Sequence, residues 1–237
     1  MTEGHPAIGP VDLPAAWSLF DRVPAVYAFC REHLFRDDTD RIARALWPAG
    51  RPRRGSMVLE LGCGPGFYAR RLAARFDDLQ VVGVDRSLAQ LERARTRAAR
   101  ASLDNCRFDL GDAAALPYPD GRADAVVMSR LLAVVEDREQ VLAEVHRVLS
   151  PGGRCFVAEP TSSFRAALPI AAMRLASWLG GGAQGSRPSI SSVDRVEVLH
   201  RDSFATLVRS QRWQHVSQWA DSNYQYALLE KSAAVPR

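Results

Sequence analysis

The sequence predicts an α/β fold, a mostly parallel sheet with helices on both faces. Three observations carry this. Apolar runs without polar alternation, Met57–Leu61 and Leu79–Asp85, read as strands covered on both sides. Each is followed by a helical pattern, so strand and helix alternate along the chain. Between the first strand and its helix stand Gly62, Gly64 and Gly66, a turn that brings backbone close to a ligand at the carboxyl edge of a sheet.

Composition sets the outer limits. A chain of 237 residues with 47% hydrophobic and 24% charged residues is ordinary for a globular protein. No apolar run approaches the roughly 20 residues that span a bilayer. The first residues, Met1 to Pro6, lack the basic-then-apolar layout of a signal peptide. Cys30, Cys63, Cys106 and Cys155 form no C-x-x-C pair and read as reduced thiols, so a cytoplasmic location is expected. The formal charge is +4, but the basic residues are scattered and mixed with acids. All but one of the 31 are arginine, the exception being Lys231, which reads as a coding bias. No nucleic-acid partner is expected.

The elements follow in order. Residues 1–14 are rich in Pro and Gly and read as surface loop. A helical pattern runs from Ala15 to Phe35, broken at Pro24, with Val26, Phe29, Cys30, His33 and Leu34 as its stripe. A second helix spans about Thr39 to Trp47, capped by Asp38 or Thr39 and stopped by Pro48. After the glycine turn, Tyr68–Phe76 is helical. Ser87 caps a helix reaching about Arg100, with Leu88, Leu91, Ala94, Arg95 and Ala98 in period. Cys106–Ala113 is a third strand leaving on Gly111-Asp112, and Arg122–Ser129 a fourth. Asp137 caps the next helix with Gln140 at the capping-box position, and Cys155–Glu159 is the fifth strand. Asp202 is read as the cap of a late helix ending near Arg212. His215–Trp219 and Tyr224–Glu230 form a terminal hairpin. His146 reads as ordinary surface.

The segment from Pro160 to about Val196 reads as an insertion. Phe164, Leu168, Ala171, Leu175, Trp178 and Leu179 share one helical face, and Gly180 to Gly185 give an exit. A pocket lid, a dimer or membrane-surface face, and plain core all fit residues 164–179, with the lid preferred.

The glycine spacing is G-x-G-x-G, preceded by Glu60. A dinucleotide fingerprint would place its third glycine at Phe67 instead. Glu60-x-Gly62-x-Gly64-x-Gly66, Asp85 ending the second strand, Gly111-Asp112-Ala113, and the R-V-L-x-P-G-G run through Pro151-Gly152-Gly153 occur in that order. Together they resemble the class I S-adenosylmethionine-dependent methyltransferases, of the small-molecule kind that includes quinone-biosynthesis enzymes. The likeness covers about residues 57–159 by motif.

The resemblance implies a Rossmann-like seven-stranded sheet, order 3-2-1-4-5-7-6, mostly parallel with a C-terminal antiparallel hairpin. It implies an N-terminal helical lid over residues 1–50 and a methyltransferase domain over 51–237, with the lid insertion at about 160–196. It implies S-adenosyl-L-methionine as cofactor, with no metal. Glu60 would position its amino end, Asp85 the ribose hydroxyls and Asp112 with Ala113 the adenine. Gly62, Cys63, Gly64, Gly66, Arg86 and Arg130 would complete the site. The chain departs from many relatives after the fourth strand, reading Arg130-Leu131-Leu132 where they carry L-H-H, so no motif histidine is available as a base. Arg130 would meet the cofactor carboxylate or the acceptor, or stand as a solvated or capping residue. Tyr27, His33 and Tyr68 are the residues offered as facing substrate, and no catalytic residue is assigned. The acceptor is expected to be a small, apolar molecule methylated at O, N or C, and the chain a monomer or homodimer open to peripheral membrane contact. A nucleic-acid methyltransferase and a non-catalytic cofactor-binding subunit are the alternatives. The first lacks an N/D-P-P-Y/F motif, and the second would show damaged motifs.

Overall fold

The computed structural model describes residues 24–33, 36–161 and 198–233. The expectations for residues 1–23, for Leu34, and for the insertion with its 164–179 stripe lie outside them.

The described chain runs α1 (Pro24–His33), α2 (Thr39–Leu46), β1 (Met57–Leu61), α3 (Phe67–Arg75), β2 (Gln80–Asp85), α4 (Leu88–Arg100), β3 (Cys106–Leu110), β4 (Ala123–Ser129), α5 (Arg138–Val148), β5 (Leu149–Pro160), α6 (Arg201–Leu207), β6 (Trp213–Ala220) and β7 (Tyr224–Lys231). The strands form one seven-stranded sheet in the order β3-β2-β1-β4-β5-β7-β6. The first five pair in parallel, while β7 runs antiparallel between β5 and β6. Strand order reverses at β1, and the glycine turn leaves from its carboxyl end. That is where open α/β sheets form a ligand crevice. No helix among the described residues is long and apolar enough to cross a membrane.

Strand alternation divides the core. Met57, Leu59 and Leu61 point to one face, where Val141, Leu142 and Val145 of α5 and Phe204 of α6 cover them. Val58 points to the other, with Leu72 of α3, Leu91 and Ala94 of α4, and Ile42 of α2. All five residues of β1 are buried, as the unbroken apolar run predicts. Ser87 caps α4 through its side chain, accepting from the Gln90 N–H, and Asp137 caps α5 in the same way.

Several local expectations change. Asp38 stands at the N-cap of α2 without a side-chain bond to the helix. Asp37 does that work instead, its Oδ1 accepting from Thr39 N at 2.9 Å, while Asp38 turns to Arg36 and Arg41. Leu91, Ala94 and Ala98 of α4 are buried as the stripe predicts, but Leu88 is 50% exposed and Arg95 is exposed, while Gln90 is 1% exposed. Residue 88 falls in the first turn, outside the layer's cover. Asp202 is not a cap: α6 begins after His200 with no side-chain bond and is short. β5 starts at Leu149 rather than Cys155, because Leu149 pairs with Ala123 before a register shift absorbs the Pro151-Gly152-Gly153 turn. The α1 stripe is turned: Ala28, Cys30 and Arg31 are buried, whereas Phe29 is 58% exposed. His146 bridges elements, its ring edge-on to Trp213 at 4.9 Å.

Gly83 in β2 marks the tightest packing of the sheet on this side. A Cβ there would lie 2.6 Å from Phe108 Cδ1 and 2.8 Å from Cys63 Sγ. A ring and a buried sulfur have little room to yield, so Gly83→Ala should destabilise by about 1–3 kcal/mol through overpacking. Urea titration should show a lower midpoint at unchanged slope. A wild-type midpoint would mean that Phe108 repacks freely.

Candidate functional site

The site is built at the carboxyl edge around the glycine turn. Gly62, Gly64 and Gly66 have φ of 66°, 52° and 72°, in the left-handed region that glycine occupies without strain. Their bare Cα atoms are used. A Cβ would stand 2.8 Å from Leu131 Cδ1 at Gly62, 3.1 Å from Tyr27 Cε1 at Gly64, and 2.6 Å from Phe108 Cε1 at Gly66. The turn is thus a floor on which the post-β4 loop, α1 and β3 each rest a side chain.

Acids end three of the strands that reach this edge. Glu60, on β1, is 4% exposed. Its Oε2 accepts from Ala69 N at 2.6 Å, inside the first turn of α3. Burial pushes its carboxyl up to about 7, against the pull of the Ala69 N–H and the nearby Arg31 charge. The sequence reading gave Glu60 to the cofactor's amino end. The structure engages one of its oxygens with the start of α3, where an acid also meets the positive end of the helix.

Asp85, ending β2, faces the turn. Its Oδ2 accepts from Gly64 N at 2.7 Å and its Oδ1 from Ser87 N at 2.9 Å. It therefore joins the glycine turn to the entry of α4. Asp112, past β3, accepts from Ala114 N at 2.9 Å and lies 3.9 Å from Arg86 Nε. Arg86 and Asp112 thus form a partly exposed pair across the ends of β2 and β3. Ala113 is buried beneath them. Cys63 is also buried, its thiol held well above its ordinary range by desolvation.

Glu159, ending β5, escaped the sequence reading. It is 1% exposed, and its two oxygens accept from Leu132 N at 2.8 Å and Ala133 N at 3.2 Å. It fixes the loop that lays Leu131 on Gly62. Burial raises its carboxyl to about 7, partly offset by those N–H groups and by Arg130. The signal was present: an acid closing an apolar strand, as Glu60 and Asp85 do. Arg130 itself takes φ 63°, with its N–H donating to Ala158 O at 2.8 Å. Its charge bears on Tyr27, Cys30 and Glu159, which places it between α1 and β5.

The three residues offered as facing substrate separate. Tyr27 lies over Gly64, with its hydroxyl raised by burial and drawn back by Arg130 and Arg31. Tyr68 is 2% exposed and belongs to the core, its hydroxyl raised by burial. His33 is exposed, its ring 4.8 Å from that of exposed Phe29, on the outer side of α1. The stripe turned because α1 lays Arg31 on the domain, 3.7 Å above the Phe67 ring. Arg31 is the second residue that sequence reasoning missed, since arginine rarely marks a buried face.

The sheet order β3-β2-β1-β4-β5-β7-β6, with a glycine turn after β1, is that of the Rossmann-like methyltransferase fold. Residues 58–153 match the model of the family described as "Methyltransferase domain". Among curated relatives, the chain is 42% identical over 117 residues to 27-O-demethylrifamycin SV methyltransferase of Amycolatopsis mediterranei, covering 49% of this chain and 41% of that one. It is 35% identical over 149 residues to a ubiquinone/menaquinone biosynthesis C-methyltransferase of Desulfotalea psychrophila, covering 62% of this chain and 59% of that one. The chain therefore spans about half the length of the curated relatives it matches. Among solved structures, phosphoethanolamine N-methyltransferase 2 of Haemonchus contortus with S-adenosyl-L-methionine superposes with a TM-score of 0.66 at 14% identity, covering 92% of this chain and 61% of that one. Geranyl diphosphate methyltransferase with sinefungin gives a TM-score of 0.61 at 17% identity, covering 82% and 76%. At such identities the likeness is one of fold.

Glu60 and Glu159 make stability depend on pH in a definite direction. Both carboxyls sit at about 7 in the folded state against an ordinary 4.5. The folded protein holds their protons more tightly, so their contribution is full below the ordinary value and is lost as pH rises through the folded one. Glu60→Gln and Glu159→Gln remove that loss. Between about pH 5 and pH 8, each variant should lose less stability in urea than the wild type does. Parallel curves would show that neither group is charged against burial.

Proposed function

We propose that this chain transfers a methyl group from S-adenosylmethionine to an O, N or C atom of a small-molecule acceptor. The observation that carries it is the Asp85–Gly64 contact, an acid at the end of β2 poised on a glycine-rich turn. The residues present fit the cofactor. Asp85 is a carboxylate at the end of β2, the chemistry that accepts from a pair of ribose hydroxyls, and Asp112 is a partly exposed acceptor past β3 for an exocyclic amine. When bound, the cofactor supplies an electrophilic methyl group on a sulfonium.

Within this reading the protein's part is binding and alignment. Asp85, Asp112, Ala113 and Arg86 hold the nucleoside end, with Gly62, Cys63, Gly64 and Gly66 as the floor. Glu60 fixes the turn through the start of α3. Arg130 and Tyr27 stand where the acceptor approaches, and Tyr27 with α1 excludes water above Gly64. Alignment of a bound pair lowers a barrier by up to ~7–11 kcal/mol. No side chain is assigned as a base, and one is required only for an acceptor still protonated at working pH. By their names the relatives act on 27-O-demethylrifamycin SV and in ubiquinone/menaquinone biosynthesis, which supports an organic small-molecule acceptor. We further take residues 1–50 as a covering lid, residues 160–196 as an insertion over the acceptor side, and the chain as a cytoplasmic monomer or homodimer.

Calorimetric titration tests this. Wild type should bind S-adenosylmethionine and S-adenosylhomocysteine in the micromolar range, about −8 kcal/mol. Asp85→Ala should weaken both by about tenfold or more, as expected for lost hydrogen bonds to a charged group. Absence of binding by the wild type would overturn the proposal.

A further inference from the structure

Arg31 is 6% exposed, and its guanidinium lies 3.7 Å from the Phe67 ring centre and 4.4 Å from that of Tyr68. Phe67 opens α3 directly after the glycine turn. One turn earlier on α1, Tyr27 rests on Gly64, so both side chains share the helix face that covers the turn.

The hydrogen bonding of this buried cation is incomplete. Its Nη1 donates to Arg36 O at a long 3.4 Å. Its Nη2 is buried with no hydrogen-bond partner among the described residues. The acids around it are committed elsewhere. Glu32, next along the helix, pairs with Arg70 at 2.8 Å and Arg97 at 3.4 Å. Asp38 pairs with Arg36 and Arg41, and Glu60 serves Ala69 N. Burial raises the carboxyls of both Glu60 and Asp38, and the Arg31 charge is close enough to oppose that rise in each. Two aromatic faces stabilise a guanidinium, but they do not accept from its edge. A buried donor without an acceptor is costly, and the group that best satisfies a planar fork is a carboxylate.

We propose that Arg31 is a carboxylate-binding residue of the cleft above the glycine turn. The assignment rests on the methyltransferase reading. It adds that one molecule in the cleft presents a carboxylate to the Nη2 edge. Two sources share that chemistry: the amino-acid end of the cofactor and an acidic acceptor. A lysine at this position would keep the charge but lose the fork, so it is not equivalent.

The test uses the intact chain, Arg31→Met, which keeps the stem, and Arg31→Lys. Two ligands are titrated: S-adenosylhomocysteine, and the same compound decarboxylated, which keeps the nucleoside, sulfur and amine. If the carboxylate is the cofactor's, Arg31→Met should lose about tenfold or more in affinity for the first and little for the second, with Arg31→Lys in between. If neither affinity moves, trans-aconitate is titrated into the S-adenosylhomocysteine complex as a carboxylate probe. Binding by the wild type that Arg31→Met abolishes assigns the carboxylate to the acceptor. Equal losses for both nucleosides would overturn the assignment, since Arg31 would then only hold α1 in place. It is equally overturned if no affinity changes and trans-aconitate binding is absent or unaltered. A wild type that binds neither nucleoside overturns the methyltransferase reading itself, and the assignment with it.

Discussion

The rest of the structure depends on one constraint: main chain at the carboxyl end of β1 must be approached from three directions at once. Gly62, Gly64 and Gly66 allow this because each combines a positive φ with a bare Cα. Leu131, Tyr27 and Phe108 come from three different elements and each packs directly on one of them. A methyl group at any of these positions would strain the backbone and displace a neighbour. The turn is therefore the point where post-β4 loop, covering helix and third strand are brought into mutual register. Loss of any one glycine would be felt by an element distant in sequence.

The same edge shows a repeated electrostatic device. Glu60, Asp85 and Glu159 end β1, β2 and β5, and each accepts from backbone N–H groups of a segment that must be held still. Burying a carboxyl is unfavourable, and Glu60 and Glu159 answer by rising to about 7. Their N–H partners offset part of that penalty. The sheet supplies rigid strand ends and the acids transmit that rigidity to loops, which have little of their own. A site built in this way keeps its shape without needing long side-chain contacts across it.

This division explains what the sequence could and could not disclose. The parallel strands were legible because burial on both faces leaves an unbroken apolar run, and the glycine turn because its spacing has few other uses. Strand order came only from the family resemblance that the motifs carry. What failed was rotation and capping. Phe29 and His33 look like a buried stripe, yet α1 turns them out because cation–π contacts favour Arg31 against Phe67 and Tyr68. Asp38 looks like a cap, yet paired arginines draw it away and leave the work to Asp37. The sources differ: a partner far along the chain turned α1, whereas neighbouring arginines, themselves tied to Asp221, drew Asp38 off the helix end. Glu159 was missed for the opposite reason, its chemistry depending on backbone N–H groups that carry no residue identity.

The covering segment is fixed from two sides, which is why its inward face can carry specific chemistry. Glu32 ties α1 to α3 and α4 through Arg70 and Arg97. Beyond it, Arg36 and Arg41 reach Asp221 in the β6–β7 turn, at 2.6 and 3.4 Å, and Arg41 lies over the Tyr226 ring. Asp221 also accepts from Asn223 N and Tyr224 N, which helps hold its carboxyl well below the usual range. Any one partly exposed pair contributes only about 0–1 kcal/mol. Here Asp38, 3% exposed, lies between the same two arginines, so the pairs form a network. Both anchors lie just past Arg31 and tie the segment to different parts of the domain, one to α3 and α4 and the other to the terminal hairpin. Tyr27 and Arg31 are then positioned by the frame of the sheet, through α3, α4 and the terminal hairpin, more than by the packing of α1 itself.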